Sequence, residues 1–184
     1  MRWRVRLGYP VALVYLVLAS PTLHWIAMGA ALAGFGLLVR AIAAGHLRKD
    51  RELAVTGPYA RTRNPLYLGS AFLAVGFAIA GHSWWAGSLV VTYFAVFYYA
   101  VMKNEEADLH LRFGPSFDNY AQKVPLFLPN FFGTGYASPP ASQPEKQFSW
   151  DQYRRNREYR ALIGTMGALA VVWLRMWVRS RYGW

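Results

Sequence analysis

The 184 residues are 55% hydrophobic and 17% aromatic, yet they carry a formal charge of +11. Such a chain is too apolar for a disordered basic protein, and it gathers its apolar residues into five long runs that a soluble core does not require. It has no cysteine, so disulfide frameworks and thiol chemistry are excluded as well.

The first apolar run, about Val5–Ala19, follows Arg2, Arg4 and Arg6. MRWRVRLGYPVALVYLVLAS resembles a signal peptide, but cleavage after Ala19 would place Val17 where a small residue is usual. A second apolar run also follows almost at once, so a retained helix is expected. Pro21 separates it from the run Leu23–Ala44, in which Gly29, Ala30, Gly34 and Gly36 predict close helix contacts. GFGLLV in this run lacks the third glycine and the preceding strand of a phosphate loop. Arg40 lies inside the run's apolar end, a costly place for a charge. It can orient a substrate carboxylate or phosphate there, or snorkel to the surface.

The connection GHLRKDRELAVTGPYARTRNPLYLG comes next. Gly57–Pro58 and Asn64–Pro65 stop helix continuation, and Pro65 suits the first turn of the helix that follows. A basic loop with aromatic anchors is one account of it. Irregular backbone at membrane depth, however, is tolerated only where it is buried in protein or lines a cavity. A helix start beside Arg63 is also suited to receive a carboxylate or phosphate.

Leu66–Ala80 and Ala86–Met102 then form a hairpin around GHSWW, Gly81–Trp85. The second long connection opens KNEEADLHLRFGPSFDNYAQKVPLFLP. Glu105 and Glu106 there either pair with Lys103 or Arg112 or hold a cationic ligand. Neighbours on a helix point about 100° apart, so one of the two faces any given ligand. The last run, Ala161–Val178, follows the basic DQYRRNREYR. A span is expected for it, with a helix lying on anionic lipid as the alternative.

A span needs about 20 residues, which the second and fourth runs supply and the others approach. All but Arg175, Arg179 and Arg181 of the 20 Lys and Arg precede the first run or lie at the two long connections. The two short hairpins carry none. The positive-inside rule therefore predicts a cytoplasmic N-terminus and cytoplasmic long connections. The expected protein is an all-α, polytopic membrane helix bundle of about five transmembrane helices, in a prokaryotic inner membrane. Topology accounts for the charge, so no nucleic-acid partner is inferred. Trp3, Trp25, Trp84, Trp85 and Trp177 fit an interfacial belt. His24, His46, His82 and His110 show no metal-ligand spacing, and neither a Ser-His-Asp set nor a nucleophile elbow is present.

Gly57 and Tyr59, Arg63-Asn64-Pro65-Leu66-Tyr67-Leu68-Gly69, Glu105-Glu106, Phe113-Gly114, Tyr120 and Val124-Pro125 occur in a telling order. Through them the chain resembles the isoprenylcysteine carboxyl methyltransferase and phospholipid methyltransferase family of integral membrane enzymes, over about residues 46 to 130. The resemblance implies S-adenosyl-L-methionine at the cytoplasmic end of the bundle and a lipid or lipophilic small molecule as methyl acceptor. It implies cofactor contacts at Tyr59, Arg63, Asn64, Pro65, Tyr67, Leu68, Gly69, Glu105 and Glu106, with His46 a plausible addition. Asn64 departs from the histidine typical of the carboxyl methyltransferases, and asparagine cannot take up a proton. An amine acceptor would need a base, for which His46 and Glu106 are the candidates, with Arg40 as a substrate-orienting cation. The implied organisation is one membrane domain: a helical hairpin (1–45), a cofactor-binding core (46–130), a linker (131–148) and a basic helix with a last membrane helix (149–184). Two other functions fit parts of the pattern. They are an NADPH-dependent reductase of the sterol reductase type and a scaffold that binds anionic lipid.

Overall fold

The computed structural model describes residues 2–48, 52–131, 136 and 147–183, with side chains from Gly8 onward. Lys49, Arg51, Lys146 and most of the expected linker 131–148 lie outside the described residues, as do the side chains of Arg2, Trp3, Arg4 and Arg6. The protein is all-α. Its helices are α1 (Arg2–Leu18), α2 (Leu23–His46), α3 (Pro65–Ala80), α4 (Trp84–Phe113), α5 (Pro115–Lys123), α6 (Trp150–Arg155) and α7 (Tyr159–Tyr182). A single 3-10 turn spans Gly57–Ala60, and no strand occurs among the described residues.

By length and composition α2, α4 and α7 can each cross a membrane, whereas Gly8–Leu18 of α1 and the whole of α3 are apolar but shorter. The 16 residues of α3 reach about 24 Å, less than a hydrocarbon core of about 30 Å. Three of the roughly five expected crossings thus have full length. Helix α4 overruns its apolar stretch and continues through NEEADLHLRF to Phe113. Glu, Ala, Leu and Arg propagate a helix as readily as apolar residues do.

The chain forms two compact units, one of Met1–Leu37, Ser70–Tyr99 and Ala161–Trp184, the other of Leu38–Gly69 and Ala100–Arg160. In the first, α2 and α3 touch backbone to backbone. A Cβ on Gly29 would overlap the Gly76 carbonyl, and one on Gly76 would meet the Gly29 carbonyl and Ala33. Gly34 is not part of this contact, contrary to the expectation from the small-residue run: its Cβ would meet open space. Gly29 and Ala33 are one turn apart on one face, while Gly34 is rotated about 100° from Ala33. Elsewhere in this unit the Tyr15 phenol donates to the Phe77 carbonyl (2.7 Å), and the Ser20 N–H donates to Gly81 (2.8 Å). Arg175 Nε donates to the Leu16 carbonyl (3.1 Å) and Arg179 to the Ser20 hydroxyl (2.6 Å). Leu16 lies in the last turn of α1, where carbonyls lack helical partners and cations are favoured.

The second unit is built around irregular backbone. Gly114, at φ +48°, turns the chain from α4 into α5, with Pro115 in the first turn. Phe117, Tyr120 and Val124 then pack on Leu53, Val55, Leu109 and Phe113. The segment before α7 is fastened to the end of α2. Ser149 N–H donates to Gly45 O (3.0 Å), Phe148 lies over Gly45 where a side chain would overlap it, and the Asn156 amide donates to Ala44 O (2.8 Å) and Leu47 O (2.9 Å). Asn156 therefore caps carbonyls at the end of α2 and just beyond it.

Candidate functional site

The first long connection is largely half-buried, with Tyr59 and Thr62 buried, and the segment after α5 satisfies part of its backbone. Arg63 N–H donates to the Pro125 carbonyl (2.9 Å), and Asn130 N–H donates to the Arg61 carbonyl (3.0 Å). The buried Thr62 hydroxyl donates to Phe127 O (2.8 Å), the Asn64 amide to Leu126 O (2.9 Å) and the Tyr120 phenol to Tyr59 O (2.7 Å). Non-helical backbone can be enclosed only when its polar groups find partners in this way. Asn64 therefore joins two elements. Its side chain holds the strap 124–130, while its carbonyl receives the Tyr67 and Leu68 N–H groups (3.1 and 3.0 Å) that start α3. Pro65 is buried at the first helical position and Gly69 is buried one turn on.

Four charged side chains meet at this helix start. Arg63 Nη1 is ion-paired with Glu106, whose other oxygen accepts from Lys103 (2.9 Å). Glu105 is exposed and accepts the Tyr67 hydroxyl on Oε2 (2.6 Å). The two glutamates diverge as neighbours on a helix must, one to Arg63 and the other to Tyr67. The anion-receiving and cation-receiving halves anticipated separately are thus joined in one ion-paired group. One polar atom in it is unsatisfied: Arg63 Nε is buried and has no hydrogen-bond partner. A buried orphan donor costs about 1–3 kcal/mol, which an acceptor such as a carboxylate would relieve.

His46 and Arg40 approach the same loop from α2. Gly57, at φ +60°, lies against the Cδ2–Nε2 edge of the His46 ring, where any side chain would collide. His46 Nδ1 is 2.9 Å from the Ile42 carbonyl, which assigns the proton to Nδ1 and leaves Nε2 as the acceptor. Arg40 is ion-paired with Glu158 and donates to the Leu66 carbonyl (3.2 Å) in the first turn of α3. Its charge is therefore taken up inside the protein rather than at a free surface. Glu158 had no sequence signal beyond being the one glutamate in DQYRRNREYR; it follows Arg157, whose φ of +54° ends α6 and turns the chain into α7.

Burial pushes the Tyr59 phenol well above the usual tyrosine range, and the carboxylate of Glu105 adds to the effect. Burial likewise raises Tyr120, against a smaller opposing influence of the Arg63 cation. Both phenols are neutral fixtures of the site. Leu68 is half-buried in α3, and the described residues contain no group of three or more His, Cys, Asp or Glu able to hold a metal ion.

Residues 24–116 match the model of a family described as phospholipid methyltransferase. A nickel-cobalt-cadmium resistance protein (NccN) of Alcaligenes xylosoxydans xylosoxydans is 38% identical over 82 residues, covering 45% of this chain and 38% of that protein. A cobalt-zinc-cadmium resistance protein (CzcN) of Cupriavidus metallidurans is 33% identical over 111 residues, covering 60% of this chain and 50% of that protein. The chain thus spans half or less of the length of these relatives. No solved structure matches it.

Proposed function

We propose, since this chain belongs to the phospholipid methyltransferase family, that it transfers a methyl group from S-adenosyl-L-methionine to a lipid or lipophilic acceptor at the cytoplasmic face of a membrane. The observation that carries this reading is the buried, unpartnered Nε of Arg63 beside two carboxylates at the start of α3. These residues fit a zwitterionic methyl donor. Arg63 Nε offers a charge-assisted bond to a carboxylate, and the exposed Glu105 offers its free oxygen to an ammonium. When bound, the cofactor supplies a methyl group activated on a sulfonium.

The chain's own part is mainly positional. Glu106 keeps the Arg63 guanidinium oriented, Tyr67 orients Glu105, and the strap 124–130 holds the loop that bears Arg63. Tyr59, Asn64, Pro65, Leu68 and Gly69 belong to the loop and the first turns of α3 that carry Arg63 and Tyr67. Arg40, already paired with Glu158, steadies the first turn of α3 through Leu66. For an amine acceptor, His46 Nε2 is the proton-accepting atom we assign, since Glu106 already serves two cations.

Calorimetric titration of the purified chain in detergent tests this directly. S-adenosyl-L-methionine should bind, and Arg63→Ala should weaken it roughly 10- to 100-fold, as expected for losing a bond to a charged group worth about 1.5–3 kcal/mol. Glu106→Gln should weaken it less. Binding of NADPH with none of S-adenosyl-L-methionine would replace this function by reduction. Labelled-methyl incorporation into membrane extracts then identifies the acceptor.

A further inference from the structure

The segment joining the second unit to α7 has two unlike sides. Its inward side is fastened through Ser149, Asn156 and Glu158. Its outward side presents Arg154, Arg155, Arg157 and Arg160, all exposed, and none of the four makes an ion pair among the described residues. Asp151 is the one exposed acid among them, because Glu158 is taken by Arg40. Trp150 and Tyr159 are exposed beside them at 67% and 41%.

Two observations indicate what covers this side. First, α7 is a candidate membrane span and begins at Tyr159, so the arginines stand at or within two turns of its start. A span that starts there places the preceding residues at headgroup depth, where Trp and Tyr rings are also favoured. Second, four unpaired guanidiniums with little opposing acid call for anions, and guanidinium is the side chain best matched to phosphate oxygens. We infer that residues 150–160 form a docking surface for the headgroups of anionic phospholipids. The partner is the membrane surface itself, and the inference rests on this segment's exposed face, independently of methyl transfer. Since Asn156 and Glu158 tie the same segment to α2, lipid on its outer side also braces the α2 end that carries His46 and Arg40.

The test uses the full chain in nonionic detergent, titrated with dioctanoyl phosphatidylglycerol or dioctanoyl phosphatidylcholine and followed by thermophoresis. The unaltered chain should prefer the anionic lipid. The preference should fall at least about fivefold in Arg154→Gln/Arg155→Gln/Arg160→Gln, since one juxtamembrane arginine is worth about 1 kcal/mol, or about fivefold. The corresponding Arg→Lys triple should retain it. Equal preference in the Gln triple and the unaltered chain would overturn the inference. So would competition by inorganic phosphate at the lipid's own concentration, which would make the surface a free-anion site. If the Gln triple does not remain folded, a salt series on the unaltered chain decides the matter. The anionic preference must shrink between about 0.05 and about 0.5 M NaCl, and a salt-independent preference refutes it.

Discussion

The two units of this protein solve opposite problems. In the first, the backbone is helical and satisfies itself, so contact depends on how closely helices approach. Gly29 and Gly76 supply that approach, with Tyr15 and Arg175 donating to carbonyls near helix ends and Arg179 to the Ser20 hydroxyl. In the second, the chain departs from helix over residues 52–64, and each departure creates polar groups that need partners. The strap 124–130, Thr62, Asn64 and Tyr120 provide them. Small residues and van der Waals contact organise one unit, and buried polar pairing organises the other. Among the described residues the ion pairs all lie in the second unit, which makes it the place to look for a site for a charged ligand.

The largest test of that contrast is Glu158→Leu. It removes the carboxylate that faces the Arg40 guanidinium in a place where the two side chains are only 18% and 10% exposed, so the chain should lose about 3–5 kcal/mol. Combining it with Arg40→Met removes both charges and should recover most of the loss. Thermal unfolding in detergent, with tryptophan fluorescence as the readout, measures both variants. If the double variant were no more stable than Glu158→Leu, charge pairing would not be what organises the second unit there.

Alkaline pH tests the same unit less severely. Tyr59 and Tyr120 have raised folded pKa values, so each contributes stability that is fully present below the unfolded value near 10 and declines as pH rises toward the folded value. At pH 11 ionisation in the unfolded chain costs the fold roughly 1–2 kcal/mol for each one. Replacing both by Phe should flatten the pH dependence between 10 and 11 while costing the bond from Tyr120 to Tyr59 O. A pH profile that stays as steep in the double Phe variant would place the alkaline weakness elsewhere.

What could be read in the sequence follows the same division. The apolar runs and the breakers at Gly57–Pro58 and Asn64–Pro65 are local signals, and they located α2, the irregular connection after it and the start of α3. The order of Arg63, Glu105 and Glu106 pointed to one family, and the match over residues 24–116 agrees. The partners were not legible. Asn64 with Leu126, Thr62 with Phe127, and Arg40 with Glu158 lie 62, 65 and 118 residues apart, and residue type alone does not say which donor meets which acceptor. The end of α4 was illegible for a different reason: leaving lipid ends an apolar run but does not end a helix, and the Glu, Ala, Leu and Arg of NEEADLHLR favour its continuation.

The smallest expected effect isolates the first unit. Gly29 and Gly34 share one helix and one residue type, and the run of small residues gave no means of ranking them. Their surroundings differ completely: Gly29 abuts the Gly76 carbonyl and Ala80, while Gly34 faces open space. Gly29→Ala drives a methyl into rigid backbone and should cost about 1–3 kcal/mol. Gly34→Ala meets nothing and removes a flexible residue from a helix interior, so it should be neutral or stabilising by up to about 1 kcal/mol. Unfolding of the two variants side by side, in one detergent, gives the difference free of any effect of helix propensity, which both substitutions share. If the two shifts were equal, close approach of α2 and α3 would not be what holds the first unit, and its contrast with the polar second unit would fail at its simpler half.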